Sequence, residues 1–203
     1  MTVTVGAVCA RNYEQWLPGW LDAVRALNRK PDEVVLVTDV DGLPDWVRTV
    51  EPPSEGFDWP TWHAALFDAC ETDWVSWVNA DDRYRPGALD GIDAWAEDVM
   101  VMGNAFLGQT WLGMPDRREI ARVRFNCVPC GSPVRLDAYR RSPGFVDMMP
   151  FSDWALWVGL ARTGATFART GRIDYDYRWH ADSFDPAVAE PTRLRILAWA
   201  ASL

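Results

Sequence analysis

Apolar positions recur along the chain with two periods, and the switching between them predicts its elements. Residues 2–8 alternate apolar and small side chains before running into Cys9, as a strand does. Over residues 14–28, Trp16, Leu17, Trp20, Leu21, Val24 and Leu27 recur at three- and four-residue steps, predicting an amphipathic helix. Pro18 is tolerated only in a first turn, so the regular part starts near Trp16 or Leu17, and Pro31 closes it. Residues 33–37 form a short apolar run suited to a buried parallel strand. Residues 44–58 read as irregular, with one weak strand at 46–50. Pro60 opens a helix whose stripe is Trp62, Leu66 and Ala69. Strands are expected at 74–78 and 99–102, with a helix at 86–97 between them. Residues 120–125 and 173–178 alternate as antiparallel strands would. Ser152 is placed to cap a helix over 153–162 that stops at Gly164, and the last fifteen residues read as helical.

Alternating strands and helices over the first hundred residues predict an α/β fold, with a mostly parallel, mixed central sheet flanked by helices. Ligands of such sheets bind beyond the carboxyl ends of the strands. Three polar clusters fall there: Arg11-Asn12, Asp39 to Asp41, and Asn79 to Asp82. They are expected to converge on one crevice. No linker divides the 203 residues, so one domain is expected.

Composition narrows the function classes. The net charge of −9 gives no positive field for nucleic acid or anionic lipid, so neither is an expected partner. No apolar run is long enough to span a membrane, and the start has no signal-peptide pattern, so the cytoplasm is the expected location. One Lys among 20 basic residues suggests a GC-rich coding genome, as in a bacterium or its phage. The pair Cys127 and Cys130 lacks the second pair of a structural zinc site, so all four cysteines are expected as buried free thiols.

Each cluster has a chemical and a plain reading. Asp81 and Asp82 follow an apolar strand and repel one another unless they face water or share a cation. Mg²⁺ or Mn²⁺ takes one or two such carboxylates plus substrate phosphates; the plain alternative is a solvated turn. Asp153 can be a helix-terminal residue or a general base. His180, one of two histidines, sits beside Arg178 and Ser183, a setting fit for phosphate or metal.

Taken in order, these segments resemble the family 2 glycosyltransferases across nearly the whole chain. The segment from Val5 to Leu21 is similar to the family's opening strand and helix, and residues 33–42 to its second strand with base-contacting acids. WVSWVNADDRYRPGAL at 74–89 resembles its DxD-type metal motif. Residues 131–134 resemble an acceptor-side segment, and 144–164 its "GGFDE…EDWDLWLRLA…G" stretch. Tyr177-Arg178-Trp179-His180 with Ser183 looks like its "YRxH…S" element.

The resemblance implies a GT-A fold, with residues 1–103 as the nucleotide-sugar half and 104–203 as the acceptor half. It implies that Asp39 and Asp41 meet the nucleobase, with Ala10, Arg11 and Asn12 lining that pocket. Asn79 stands at the ribose-contacting position, and His63 near a donor-lining position that is often Asn. Asp81 and His180 would hold Mn²⁺ or Mg²⁺ against the donor diphosphate. Asp153 would be the catalytic base. Ser132, Trp111, Trp154 and Trp157 are the acceptor-side candidates. The implied activity is metal-dependent, inverting transfer of a sugar from a nucleotide-diphosphate donor to a hydroxyl of a glycan, protein or lipid-linked acceptor. Asn79 in place of Asp, and Ser152 in place of an acid, motivate an alternative: a catalytically silent protein of this fold that binds a nucleotide or glycan. A nucleotidyltransferase of related architecture is a third reading, against which the segment from Ala7 to Tyr13 lacks a Gly-rich basic loop.

Overall fold

The computed structural model describes residues 1–180 and 188–203. Strands β1 (Val3–Cys9), β2 (Glu33–Thr38), β3 (Arg48–Val50) and β4 (Trp74–Trp77) form the parallel half of the main sheet. Next to β4, β9 (Val134–Arg135) runs antiparallel, followed by β6 (Val99–Val101) and β10 (Phe167–Arg169). The resulting order is β10-β6-β9-β4-β1-β2-β3. A second sheet holds β5 (Arg83–Tyr84), β11 (Tyr175–Asp176), β7 (Gly103–Phe106) and β8 (Gln109–Leu112), in that order.

The period-two pattern of β1 sorts its side chains onto two cores. Val3, Val5, Ala7 and Cys9 pack with Leu17, Trp20 and Val24 of α1 (Leu17–Ala26). Val8 packs on the other face with Trp62, Leu66 and Phe67 of α2 (Trp59–Ala69). The same face takes Leu156, Trp157 and Leu160 of α5 (Ser152–Arg162). Gly6 permits the approach of α2, since a Cβ there would lie 2.6 Å from a Leu66 methyl. The C-terminal α6 (Ala189–Ala200) docks Ile196 and Ala200 on Trp154, Ala155 and Val158.

The strands expected at 2–8, 33–37, 74–78 and 99–102 form, as do the helices beginning at Leu17, in the Pro60 turn and at the end of the chain. Three expectations fail for local reasons. Residues 86–97 make turns and one 3₁₀ turn at Ile92–Ala94 instead of a helix. Gly91 turns left-handed there, and Arg172 donates to the Ala88 and Asp90 carbonyls in place of a helical ladder. Residues 120–125 are no strand. The carboxylate of Asp116 caps a short α3 (Arg117–Ala121) that buries Ile120, and Val123 is buried in the turn that follows. Ser152 is the first residue of α5 and no cap; its hydroxyl accepts from the Met148 amide at 3.1 Å. The hairpin of β7 and β8, strands β5, β9 and β10, and the short helix α4 (Leu136–Arg141) were not expected.

Candidate functional site

The carboxyl ends of β1, β2 and β4 open onto one cleft made of three adjoining hollows. The first is lined by Ala10, Asp39, residues 52–57 and Trp62. The middle one, about 110 Å³, is lined by Ala10, Tyr13, Phe57, Trp59, Asn79, Asp81, Tyr177 and His180 among others. The third contains Asp153, Asn126, Cys130, Asn104 and Trp111. Ala10 and Phe57 join the first to the second, and Trp59, Asn79 and Tyr177 join the second to the third. Of the three clusters at strand ends, Asp39 of the second and Asn79 and Asp81 of the third line this crevice, whereas Arg11 and Asn12 of the first do not.

Backbone bonds fix the walls. Thr38 ties the ends of β1 and β2, its hydroxyl donating to the Cys9 carbonyl at 2.6 Å and accepting from the Val40 amide. Arg11 donates to the Asp39 carbonyl and pairs with Asp41 at 3.6 Å, both side chains being exposed at the rim. Asn12 is also exposed, and neither it nor Asp41 lines these hollows. The turn after β4 is pinned from the segment that follows β11. The Arg178 amide donates to Asp82 Oδ1 at 2.7 Å, and its guanidinium donates to the Asp81 carbonyl at 2.8 Å while lying over the Trp16 ring. Asp82 is buried, and burial, then the neighbouring Asp81 charge, holds its carboxyl well above the ordinary range. Asp81 instead faces the cleft.

Asp81 Oδ2 lies 2.8 Å from His180 Nε2. Adjacent ligands of an octahedral cation with bonds of about 2.1 Å are separated by about 3 Å, so one carboxylate oxygen and one imidazole nitrogen stand close to the spacing a cation needs. Among the described residues no group of three His, Cys, Asp or Glu could hold an ion. The pair is hydrogen-bonded as it stands, and a cation held here would need its remaining ligands from outside the protein. Asn79 Oδ1, at the junction of two hollows, is buried with no partner among the described residues, leaving an acceptor for a ligand donor.

Asp153 stands in the first turn of α5 on the third hollow. Burial raises its carboxyl above the ordinary 3.8, opposed by the Asn126 amide, which donates to Oδ2 at 3.0 Å, and by the helix-terminal amides. A carboxyl held this way takes a proton more readily than an exposed Asp, as a general base should.

Besides the exposed Arg11, Asn12 and Asp41, four further expected contact residues lie outside the hollows. His63 is fully buried: Nδ1 lies 2.8 Å from the Trp59 carbonyl, its ring stacks beneath Trp59 at 3.8 Å, and burial lowers it to about 3. It supports Trp59 and does not reach the cleft. Ser132 is buried, bonded to the Pro129 carbonyl and the Met102 amide. Trp157 stacks on Trp77 in the core, and Trp154 packs under α6. Indole size placed both in the interior. Trp111 alone of the acceptor-side set faces the third hollow. Ser183 lies outside the described residues. All four cysteines are free, and burial raises Cys127 to about 11 and Cys130 well above its ordinary value, so the pair holds thiols.

Sequence reasoning missed Tyr13, Phe57, Trp59, Asn104, Asn126, Tyr177 and the pinning role of Arg178. Trp59 had a usable signal, since it directly precedes the helix-opening Pro60.

No family model matches the chain, and no match is found among curated proteins. Solved structures do resemble it. Residues 1–349 of TarS from S. aureus superpose with a TM-score of 0.70 at 14% identity, over 98% of this chain and 65% of that one. The same fragment in complex with UDP-GlcNAc gives 0.66 at 16% identity, over 98% and 66%. The mannosyltransferase PcManGT from Pyrobaculum calidifontis, in complex with GDP-Man and Mn²⁺, gives 0.64 at 14% identity, over 98% and 75%. The chain has the GT-A-like fold of these proteins and spans about two thirds of the TarS fragment.

Proposed function

We propose that this chain is a metal-dependent, inverting glycosyltransferase that moves a sugar from a nucleotide-diphosphate donor to an acceptor hydroxyl. The observation that carries this reading is that the Asp81–His180 pair and the Asp153 carboxylate face one continuous cleft, joined through Trp59, Asn79 and Tyr177. The fold is that of proteins crystallised with UDP-GlcNAc and GDP-Man, which favours a nucleotide sugar as donor. Residues 1–103 supply the donor half and 104–203 most of the acceptor half.

In this reading Ala10 and Asp39 border the nucleobase hollow, and the unpartnered Asn79 Oδ1 accepts from a ribose hydroxyl. Asp81 and His180 would hold Mn²⁺ or Mg²⁺, whose positive charge, when bound, stabilises the departing diphosphate. An acidic protein needs that cation to accept an anionic donor. Asp153 takes the proton of the acceptor hydroxyl as its oxygen attacks the anomeric carbon, opposite the leaving diphosphate, so the configuration inverts. Trp59, braced by His63 beneath and Phe145 at its edge, walls the junction where both substrates meet.

Asp153→Asn tests the reading. Transfer should fall by about 10²–10⁴-fold while nucleotide binding stays unchanged. Native Asp153 binds its proton more tightly than the unfolded chain does, so stability falls as pH rises from 3.8 through the raised value, and the ionised form costs stability at pH 7. The variant should therefore melt no lower than the parent at pH 7. Full transfer by Asp153→Asn would remove the base assignment. A parent that binds nucleotide and never transfers would favour the silent binder.

A further inference from the structure

The smaller sheet presents a face that runs outward from the hollow containing Asp153. The register pairs Asn104 with Trp111 and Phe106 with Gln109, so these four side chains share one side of the hairpin. Tyr175 pairs with Asn104, and Tyr177 follows two residues later on the same side. The face forms a groove of about 440 Å³, lined chiefly by Asn104, Phe106, Gln109, Trp111, Tyr177 and Trp179. That size lies within the range of ligand sites. Phe106 meets Tyr177 at 5.4 Å and Trp179 at 5.6 Å, both edge to face, so the rings brace one another. Leu107 and Gly108, both at positive φ, close the hairpin in a two-residue turn and hold the strands in register.

We propose that this groove binds an uncharged glycan of two or more sugar units and, resting on the transferase reading above, holds the acceptor chain whose terminal hydroxyl reaches Asp153. Three observations point to it. Asn104, Trp111 and Tyr177 line both this groove and the hollow containing Asp153, so a chain lying in one continues into the other. The lining alternates aromatic rings with amides and a hydroxyl, matching a ligand with C–H faces and hydroxyl edges. Trp111 and Trp179 stay 37% and 46% exposed, leaving ring surface open to a ligand. Among the described residues no Arg or Lys lines the groove, and the chain carries −9, so a phosphate- or sulfate-rich polymer finds no counter-charge. The amides argue equally against a lipid tail. The rings cross β8, β7 and β11, two interstrand spacings or about 10 Å, more than one pyranose covers.

The test titrates the full chain with oligosaccharides of one to six units built from glucose, galactose, mannose or N-acetylglucosamine, read by tryptophan fluorescence and saturation-transfer NMR. At least one series should bind at least tenfold tighter as a trisaccharide than as a monosaccharide. Trp111→Ala and Trp179→Ala should each weaken it tenfold or more, with partial recovery in Trp111→Phe. Trp46→Ala, an exposed indole elsewhere, should leave it unchanged. No binding across the panel, no dependence on length, indifference to both substitutions, or preference for a sulfated glycan or a phosphatidylcholine vesicle would each overturn the proposal. Binding of UDP and GDP with Mn²⁺ is measured on the same proteins. Intact nucleotide binding without glycan binding removes the groove alone. Glycan binding without nucleotide binding removes the transferase reading and leaves the groove standing.

Discussion

Asp153 must be ionised to act as a base, yet it stands in a wall that resists charge. One side chain adjusts that balance: the Asn126 amide donates to Oδ2 at 3.0 Å and favours the ionised form. Hydrogen bonds to charged groups contribute about 1.5–3 kcal/mol. Losing this one leaves burial less opposed and raises the carboxyl further. The base works deprotonated, so rate falls as pH drops through its pKa. Asn126→Ala should therefore shift the acidic limb of the kcat/KM profile upward. A uniform loss of rate with an unmoved limb would mean that Asn126 only fills space. The sequence hides this residue because residues 120–125 imitate a strand, which would have carried Asn126 past the cleft. In the structure Asp116 starts a short helix instead, and the chain returns to bring Asn126 beside α5.

At the level of elements, the contact of α2 with β1 sets the width of the cleft, since α2 carries Trp59 and β1 leads into Ala10. Gly6 makes that contact possible. A methyl there would meet Leu66 Cδ1 at 2.6 Å and Cδ2 at 2.9 Å inside a closed core. Gly6→Ala should cost about 1–3 kcal/mol by overpacking, and Leu66→Ala about 2–5 kcal/mol through the cavity it leaves. The double variant should lose less than the sum by about 0.5–3 kcal/mol, because each change makes room for the other. Urea denaturation of the four proteins checks this; strict additivity would show that Gly6 and Leu66 do not share the space. The same elements explain what was legible. Apolar runs and proline-opened helices are local signals, so β1, β2, β4, α1, α2 and α5 could be read, and with them Asp39, Asp81 and Asp153. The β7–β8 hairpin could not. Its face alternates amides with aromatics, and Leu107 occupies a positive-φ turn position normally filled by Asn or Gly. His63, Ser132, Trp154 and Trp157 were misplaced because polarity or ring chemistry suggested contact where packing had already enclosed the side chain.

The molecule as a whole is an acidic body, and on the proposed function it must hold an anionic donor, a conflict that the proposed cation would reconcile. Asp39, Asp81, Asp82 and Asp153 border or underlie the cleft, against Arg11 at the rim and an Arg178 whose guanidinium is engaged with the Asp81 carbonyl and the Trp16 ring. A nucleoside diphosphate alone meets this field unfavourably. With Mn²⁺ it brings the oxygen ligands that the Asp81–His180 pair lacks. Ligand at a hundred times its dissociation constant adds about 2.7 kcal/mol to folding stability. For a chain of this size each kcal/mol moves the melting temperature by about 2–4 °C, so saturation should raise it by about 5–11 °C. That rise should need both components, with UDP or GDP alone and Mn²⁺ alone each giving far less. Asp81→Asn should remove the joint rise while melting near the parent value without ligand, because Asp81 faces the cleft and its backbone bond to Arg178 survives the change. Equal shifts with and without Mn²⁺, or an Asp81→Asn protein that still shows the full joint rise, would mean that the diphosphate is held by other groups and that Asp81 and His180 only pair with each other.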